Sequence, residues 1–310
     1  DWSGAAVAPL AGDASNRRYL RLDHTHHGAA VLMDANPNLG EDVRPFIDVG
    51  SYLVQSGLSG PKVFAKDPSN GFLILEDLGD DLFDRVVAQN PALETELYLA
   101  AWDVLFQIWK TPHNVCVSPY DPAEMVEKAA LIAEWYDADL STKRIKDALG
   151  RVLKSLDWAH PTLALRDYHA QNLIWLPDRK GPARVGLLDF QDAQPSHVLY
   201  DVISYLFDAR RDVSDATRTA VLEKVKHDTQ LADFDIAVPA LLAQRSMRIL
   251  GVFARLSLRD KKTGYVDLIP RVYQQLQFAL RHPSLADLRS ELADLNAPTL
   301  EYLTRLKDQS

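Results

Sequence analysis

The spacing of apolar residues changes near residue 79 of this 310-residue chain. Before that point the apolar residues form short runs or alternate with polar ones, which is typical of strands. The clearest run is residues 72–75, Phe-Leu-Ile-Leu, which predicts a central strand. After it, apolar residues recur every three or four positions, best seen in residues 93–108, as on one face of a helix. The sequence therefore predicts a β-rich region, residues 1–78, followed by a helical region, residues 79–310.

Turn signals and apolar spacing together predict the individual elements. In the first region we expect strand, turn and strand over residues 10–22, a strand at 29–34, a helix at 41–56, and strands at 62–64 and 71–75. In the second region we expect helices at residues 93–108, 125–135, 145–156, 200–211, 222–231, 239–258, 266–280 and 288–306, the last with a break near Pro298. A hairpin of two short strands, residues 174–176 and 185–188, is predicted between the helices at 145–156 and 200–211.

Three polar residues near this hairpin are the strongest candidates for chemistry. Asn172 follows Asp167 by five positions, and Asp189 follows it by 22. Protein kinases space their catalytic Asp, Mg-binding Asn and second Mg-binding Asp in a similar way. The sequence Asp-x-x-x-x-Asn alone occurs by chance, but its pairing with Asp189 across a predicted hairpin is much more specific. Because the hairpin would bring Asp189 beside Asn172, we interpret the three residues as a phosphoryl-transfer site.

Further stretches extend the pattern over nearly the whole chain. They are residues 10–15, 17–19, 31–35, 75–79, 188–193, 200–202, 208–213, 248–251 and 253–256. Together with Asp167, Asn172 and Asp189, they resemble the aminoglycoside phosphotransferase superfamily, a set of small-molecule kinases. The closer resemblance is to the anomeric sugar kinases of cell-wall recycling, the N-acetylmuramate/N-acetylglucosamine kinases.

The resemblance implies an α+β, protein-kinase-like, two-lobed fold. A small β-rich N-terminal lobe, residues 1–78, would bind ATP, and a larger helical C-terminal lobe, residues 79–310, would carry the catalytic and sugar-binding groups. The implied cofactors are ATP and Mg²⁺, and the implied reaction phosphorylates the anomeric hydroxyl of N-acetylmuramate and N-acetylglucosamine. Asp167 would accept the hydroxyl proton, while Asn172 and Asp189 would hold Mg²⁺.

The resemblance also implies which residues contact the two substrates. The nucleotide contacts would come from a phosphate-covering turn and from the hinge between the lobes, namely Ser15, Asn16, Arg17, Glu76, Asp77 and Leu78. Position alone makes further residues candidates for acceptor contacts, namely Arg166, His169, Asp192 and Arg255.

One departure from the kinase pattern concerns the phosphate-binding lysine. Met33 stands where these kinases usually place that lysine, so another cation must offset the phosphate charge. Strand alternation puts Arg18 with the leucines on the packed side, and Arg17 with Tyr19 on the more polar side. We therefore hypothesise that Arg17 replaces the lysine. Glu41 is assigned no role, because its expected partner is the missing lysine.

A stripe of arginines lies on a predicted helix of the second region. Arg245, Arg248, Arg255 and Arg259 fall within about 80° of one helix face. Two interpretations remain open. The stripe is either a solvated face paired with nearby carboxylates, or a site that captures an anion, such as the lactyl carboxylate of N-acetylmuramate.

Composition narrows the partners. The net charge of −9 argues against a general nucleic-acid binder, which needs basic patches for phosphate contacts. No run of 18 or more apolar residues is present, so no membrane span is expected. The single cysteine, Cys116, excludes an intramolecular disulfide and fits the cytoplasm. We expect a cytoplasmic enzyme with an amino sugar and ATP as small-molecule partners, and no obligate protein partner is evident.

Two alternatives are kept. One is a phosphotransferase for an aminoglycoside or another small molecule, but a site for a polycation should gather carboxylates, and the arginine stripe argues against it. The other is a pseudokinase that acts as a binding module. Met33 motivates that alternative, whereas Asp167, Asn172 and Asp189 argue against it.

Overall fold

The computed structural model describes residues 2–10 and 17–308. The strands are β1 (Ala6–Pro9), β2 (Arg18–His24), β3 (Gly28–Asp34), β4 (Val63–Asp67), β5 (Phe72–Glu76), β6 (Thr162–Ala164), β7 (Leu173–Trp175), β8 (Val185–Leu187) and β9 (Gln194–Ser196). The α-helices are α1 (Arg44–Gln55), α2 (Phe83–Gln89), α3 (Glu94–Lys110), α4 (Pro122–Ala129), α5 (Thr142–Lys154), α6 (Tyr200–Leu206), α7 (Asp215–Thr229), α8 (Phe234–Leu258), α9 (Ile269–Ala279), α10 (Ala286–Glu291) and α11 (Leu300–Asp308).

These elements form two compact units. The first, here called the β-rich unit, comprises Asp1–Val117 and Leu165–Ala193. The second, here called the helical unit, comprises Ser118–Ala164 and Gln194–Ser310. The lobe boundary expected at residues 78/79 divides the chain differently, and it stays a prediction.

The main sheet of the β-rich unit has the strand order β1-β2-β3-β5-β4, and all its neighbouring strands are antiparallel. The apolar run 72–75 lies in β5, between β3 and β4. Leu73 is fully buried there and Leu75 is 3% exposed. The predicted central strand is therefore an interior strand of the sheet, but only one of its faces is fully buried, since Phe72 on the other face is 40% exposed.

Helix α1 begins three residues later than expected. The sequence predicted a helix over residues 41–56, whereas α1 spans Arg44–Gln55. The Asp42 carboxylate accepts the Arg44 N–H at 2.9 Å, and Pro45 lies in the first turn, where its missing N–H costs nothing. Glu41 consequently lies before the helix and not within it.

The predicted hairpin is present in the β-rich unit. Strands β7 and β8 pair antiparallel, with Leu173 opposite Leu187 and Trp175 opposite Val185. Gly186 suits the close approach of this hairpin to the segment after β5, since neighbouring side chains would have to shift for a larger residue. A Cβ at that position would lie 3.0 Å from Leu78 Cδ1.

In the helical unit, β6 pairs with β9, and the 25-residue helix α8 lies largely in the core. Within the described residues, α8 is long and apolar enough to cross a membrane, but 67% of its most apolar window is buried in the protein, as in an ordinary core helix. Gly251 lets α8 pack against the preceding chain, because a Cβ there would lie 2.3 Å from the Leu131 carbonyl carbon.

The predicted helix over residues 200–211 is too long. Helix α6 ends at Leu206, since Phe207 leaves the helical region with φ −121°. The predicted helix would have put Asp201 and Asp208, which are seven residues apart, on one face, but Asp208 lies beyond α6. Its Oδ1 accepts the Arg210 N–H at 2.8 Å, and this local turn competes with continued helix.

Candidate active site

The segment before β7 is a tight loop closed by local hydrogen bonds. The Asn172 side-chain amide donates to the Asp167 carbonyl at 2.9 Å, and the Asn172 N–H donates to the His169 carbonyl at 2.8 Å. The Asp167 N–H bonds to the Leu165 carbonyl at 3.0 Å. The sequence-predicted pair Asp167 and Asn172 therefore belongs to one loop, whose backbone orients the Asn172 side chain.

Two helices hold this loop in place. Tyr168, which is 1% exposed, donates its hydroxyl hydrogen to the Ala101 carbonyl in α3 at 2.8 Å. The Ala170 carbonyl accepts the Asp84 N–H of α2 at 3.3 Å. A buried aromatic residue with a satisfied hydroxyl is a strong anchor, so the loop is positioned by the body of the β-rich unit.

The hairpin register brings the third predicted residue to the same place. The pairing of Leu173 with Leu187 continues one step further, where the Leu188 N–H donates to the Asn172 carbonyl at 3.0 Å. Asp189 is the next residue in the chain. The neighbourhood of Asn172 and Asp189 that was expected from the sequence is thus a feature of the fold, while their roles stay predictions.

The backbone is strained at both ends of this arrangement. Arg166 has φ 73° and Asp189 has φ 55°, in the left-handed region that side-chain-bearing residues rarely adopt. The next residue, Phe190, is fully buried and stacks on Phe46 of α1, with 4.7 Å between ring centroids. Such conformations cost about 1–3 kcal/mol and persist where surrounding packing enforces them, often at functional sites.

The donor set fits Mg²⁺. The Asn172 amide nitrogen is committed to the Asp167 carbonyl, so Oδ1 is the side-chain atom of Asn172 that could meet a metal ion. A carboxamide oxygen and a carboxylate, as Asn172 and Asp189 offer, are donors that Mg²⁺ favours, and Mg²⁺ usually takes only one or two protein ligands when phosphates and water complete its shell. Among residues 2–10 and 17–308, no cluster of three or more His, Cys, Asp and Glu side chains that could bind a metal ion by themselves is present.

The predicted hinge residues are engaged by other parts of the β-rich unit. The Glu76 carboxylate accepts from Arg179 at 2.8 Å and from the Lys62 N–H at 3.3 Å. Asp77 Oδ1 accepts the Gly79 N–H at 2.9 Å. Since these bonds use the side chains, the predicted adenine contact would have to come from the backbone. Two other predicted nucleotide contacts, Ser15 and Asn16, lie outside the described residues.

Sequence reasoning missed a charge cluster at this hinge. Arg21 of β2 donates to both oxygens of Asp77, at 2.6 and 3.1 Å, and to both oxygens of Asp80, at 2.8 and 3.0 Å. The bonds with Asp80 and then Asp77 raise the pKa of Arg21, and the bond from Arg21 lowers the pKa of the Asp80 carboxyl. The only signal in the sequence was the alternation that puts Arg21 on the same face as Arg17.

Arg17 and Arg18 differ sharply in environment. Arg17 Nε donates to Glu41 Oε2 at 2.8 Å, and the two side chains are only 12% and 14% exposed. Arg18 pairs with Asp34 and its side chain is 78% exposed, so its expected place on a packed side is wrong. Arg18 is the first residue of β2 and extends beyond the core on which Leu22 packs.

The candidate acceptor residues fall in both units. Arg166, His169 and Asp192 belong to the β-rich unit, and Arg255 belongs to the helical unit. His169 is 7% exposed, with Nε2 3.3 Å from the Asn172 amide nitrogen, whereas Asp192 is exposed. The acceptor roles of these residues stay predictions.

The arginine stripe is not one surface. Arg259 lies past the end of α8, is exposed and bonds to Asp260 at 2.7 Å, as a solvated residue would. Arg248 donates to the Tyr200 hydroxyl at 3.1 Å. Arg245 is 7% exposed, and over residues 2–10 and 17–308 neither its Nε nor that of Arg255 has a hydrogen-bond partner.

Solved structures define the fold. A putative aminoglycoside phosphotransferase from Ralstonia eutropha has a TM-score of 0.68 at 15% identity, covering 92% of this chain and 93% of that one. A choline kinase from Streptococcus pneumoniae has a TM-score of 0.62 at 13% identity, covering 91% and 93%. These likenesses show a protein-kinase-like fold, so the predicted α+β class is confirmed.

Sequence comparison identifies the family. The model of the phosphotransferase enzyme family matches residues 6–242. The N-acetylmuramate/N-acetylglucosamine kinase of Caulobacter vibrioides is 35% identical, over 91% of this chain and 89% of that protein. The kinase of the same name from Pseudomonas aeruginosa is 32% identical, over 94% and 89%. The chain belongs to the phosphotransferase enzyme family, which confirms the predicted resemblance and the assignment as an enzyme.

Proposed function

We propose that this enzyme transfers the γ-phosphoryl group of ATP to the anomeric hydroxyl of N-acetylmuramate and N-acetylglucosamine. The product is the sugar 1-phosphate, made in the cytoplasm during peptidoglycan recycling. The names of the relatives support the two sugars. The observation that carries the chemistry is the hairpin register. Leu188 bonds to the Asn172 carbonyl, so the next residue, Asp189, follows directly after this contact, and Asn172 shares its loop with Asp167.

In the proposed reaction, Asp167 orients the sugar hydroxyl and accepts its proton as the oxygen attacks the γ-phosphorus. The bond from that phosphorus to the bridging oxygen breaks, and ADP leaves. Asn172 and Asp189 would hold Mg²⁺, which when bound supplies charge neutralisation at the phosphates. The chain contributes mainly position, since Tyr168 and the β7–β8 hairpin fix the loop before any substrate arrives.

The test is ATP consumption by the purified enzyme with a panel of acceptors. The panel contains N-acetylglucosamine, N-acetylmuramate, glucosamine and the aminoglycoside kanamycin. We expect turnover with the two N-acetylated sugars only. Turnover with kanamycin alone would replace this proposal with the aminoglycoside alternative. Phosphorus-coupled NMR locates the phosphate, and a 6-phosphate would refute the anomeric assignment while leaving the kinase activity intact.

A matched pair of variants tests the proposed base. Asp167→Asn should lower kcat by on the order of 10²–10⁴ with little change in melting temperature or ATP affinity, because only proton acceptance is lost. Asp178→Asn makes the same change at an exposed position in the turn of the β7–β8 hairpin, and it should behave as wild type. If Asp167→Asn keeps wild-type turnover, Asp167 is not the base.

A further inference from the structure

The position of Met33 leaves the proposed ATP site without its usual cation. Met33 lies in β3 and is 1% exposed, and its apolar side chain cannot offset phosphate charge. In protein kinases the lysine at this strand forms an ion pair with a glutamate, and that pair must be in place for phosphoryl transfer. A substitute in this chain should therefore supply both a cation near Met33 and a carboxylate that orients it.

The strand register identifies the cations that share a face with Met33. Tyr19 of β2 lies opposite Met33 of β3, and Arg18 lies opposite Asp34. Residues directly opposite each other point to the same face of a sheet, so Arg17 and Arg21, two positions on either side of Tyr19, are the diagonal neighbours of Met33. Diagonal neighbours lie about 7–8 Å apart, within reach of long side chains. A guanidinium from either arginine can thus occupy the region that a lysine at position 33 would reach.

Only one of these two arginines suits the task. Arg21 donates four hydrogen bonds to the carboxylates of Asp77 and Asp80. Arg17 pairs with the carboxylate of Glu41, to which its Nε donates at 2.8 Å. Arg17 also directly follows residues 12–16, the turn predicted to cover the phosphates.

The electrostatics keep Arg17 charged in its sheltered position. Burial alone would lower the pKa of its guanidinium, but the hydrogen bond to Glu41 and the interactions with Tyr19 outweigh burial, and the net pKa is raised. A guanidinium has five N–H donors, so a bond at Nε to Glu41 sets the direction of the group while remaining compatible with phosphate contacts.

We propose that Arg17 and Glu41 form the ion pair that replaces the kinase lysine–glutamate pair, with the cation supplied by the residue just before β2 instead of by β3. Arg17 binds the phosphates of ATP, and Glu41, just before α1, is the positioning residue that holds Arg17. This inference rests on the proposed function only in requiring that the β-rich unit binds ATP. It gives Glu41, which the sequence alone left without a role, a specific one.

The test measures nucleotide affinity in the absence of sugar. Calorimetric titration of the full chain with ATP, and separately with adenosine, both with Mg²⁺ present, separates phosphate contacts from base contacts. Arg17→Ala should weaken ATP binding by about 10–100-fold, as expected for loss of a charge-assisted contact, and leave adenosine binding within about twofold. Glu41→Gln should weaken ATP binding by a smaller factor, about 3–10-fold, with adenosine again unaffected.

Three further variants keep the test decisive. Arg18→Ala removes an arginine from the opposite face of β2 and should leave ATP affinity unchanged. Adding Glu41→Gln to Arg17→Ala should cause no additional loss, because Glu41 acts through Arg17. Arg17→Lys keeps the charge and covers the case in which Arg17→Ala fails to fold, and it should recover part of the ATP affinity.

Specific results would overturn the proposal. Equal weakening of ATP and adenosine by Arg17→Ala would mean that Arg17 only supports the fold, and wild-type ATP affinity in Glu41→Gln would remove the role of Glu41. The two proposals fail separately. A wild-type enzyme that binds ATP but phosphorylates no sugar refutes only the proposed function, whereas unchanged ATP affinity in Arg17→Ala refutes only the ion-pair replacement.

Discussion

Arg17 in the β-rich unit and Arg245 in the helical unit are both sheltered from solvent, but their surroundings differ. Arg17 is bonded to Glu41 at 2.8 Å. Arg245 is 7% exposed, and its Nε has no hydrogen-bond partner in the part of the chain that the structure describes. Asp208 of the helical unit is similar, since it is 2% exposed and its Oδ2 lacks a partner over the same residues.

The difference shows two uses of buried charge. In the β-rich unit, charged side chains near the proposed ATP site are matched within the fold, so their geometry is set in advance of binding. In the helical unit, an incompletely bonded buried group costs about 1–3 kcal/mol unless water or a ligand completes it. The first arrangement should be sensitive to the loss of either partner, whereas the second should gain stability when its charge is removed.

The largest expected effect comes from removing the charge of the Asp189 carboxylate. Asp189→Asn should lower Mg²⁺-dependent activity by on the order of 10²–10³ or more, because a charged metal ligand is lost. Asn tolerates the left-handed backbone of Asp189 as well as Asp does, so the melting temperature should not fall. The measurements are steady-state kinetics with Mg²⁺ varied and thermal unfolding.

Asp189→Ala is the informative companion variant. It removes the same charge but also places a residue poorly suited to positive φ in a strained position, so it should lose stability as well as activity. Full activity with an unchanged Mg²⁺ requirement in Asp189→Asn would show that the hairpin does not present a metal ligand.

The next effect tests whether a matched charge cluster supports the hinge. Arg21→Ala should lower the free energy of unfolding by about 1 kcal/mol, since a network of hydrogen-bonded ion pairs is worth more than an isolated exposed pair. It should also raise the KM for ATP, because the segment after β5 loses its tie to β2. Arg44→Ala breaks an exposed pair with Asp42 and should change stability by less than about 0.5 kcal/mol.

The pH dependence of the Arg21 effect has a definite sign. Arg21 lowers the pKa of Asp80 in the folded state. A depressed carboxyl pKa contributes stability above the unfolded value of about 3.9, and that contribution is lost as pH falls through the folded value. The difference between wild type and Arg21→Ala should therefore shrink below about pH 4. A difference that stays constant into strong acid would show that Arg21 stabilises by packing and not by charge.

Local spacing made the loop that carries Asp167 and Asn172 predictable, whereas the charge clusters depend on long-range pairing and were not predicted. The Asp167–Asn172 spacing and the hairpin to Asp189 depend on contacts close in sequence, so alternation and turn signals suffice. Arg17 and Glu41 are 24 residues apart, and Arg21 and Asp77 are 56 apart. Such pairs depend on sheet register and on where a helix starts, which propensity places only within a few residues.

Asp208 illustrates the same limit in the helical unit. Its spacing from Asp201 suggested a shared helix face, but α6 stops at Leu206. A carboxylate that caps its own turn through the Arg210 N–H has no distinct signature in a single sequence. The sequence supplied the candidate arginines of α8, but only the packing separates buried Arg245 from exposed Arg259.

The smallest expected effect concerns Asp208, where removal of a buried charge should stabilise the protein. Burial raises the pKa of the Asp208 carboxyl, and this outweighs the Arg210 N–H and the positive charges of Arg210, Arg245 and Arg211, which lower it. A raised carboxyl pKa means that the folded state holds its proton more tightly than the unfolded state. Stability therefore falls as pH rises from the unfolded pKa of about 3.9 through the folded pKa, and the penalty persists at neutral pH.

Asp208→Asn keeps an acceptor for the Arg210 N–H and has no charge to desolvate. It should raise the free energy of unfolding at pH 7 by a small amount, up to about 1 kcal/mol, and the gain should vanish below about pH 3.5, where the wild-type carboxyl is protonated in both states. Thermal unfolding of both proteins from pH 3 to pH 8 measures this. If Asp208→Asn is instead less stable at pH 7, attraction between the carboxylate and the neighbouring arginines exceeds the cost of burial, and the helical unit matches its charge as the β-rich unit does.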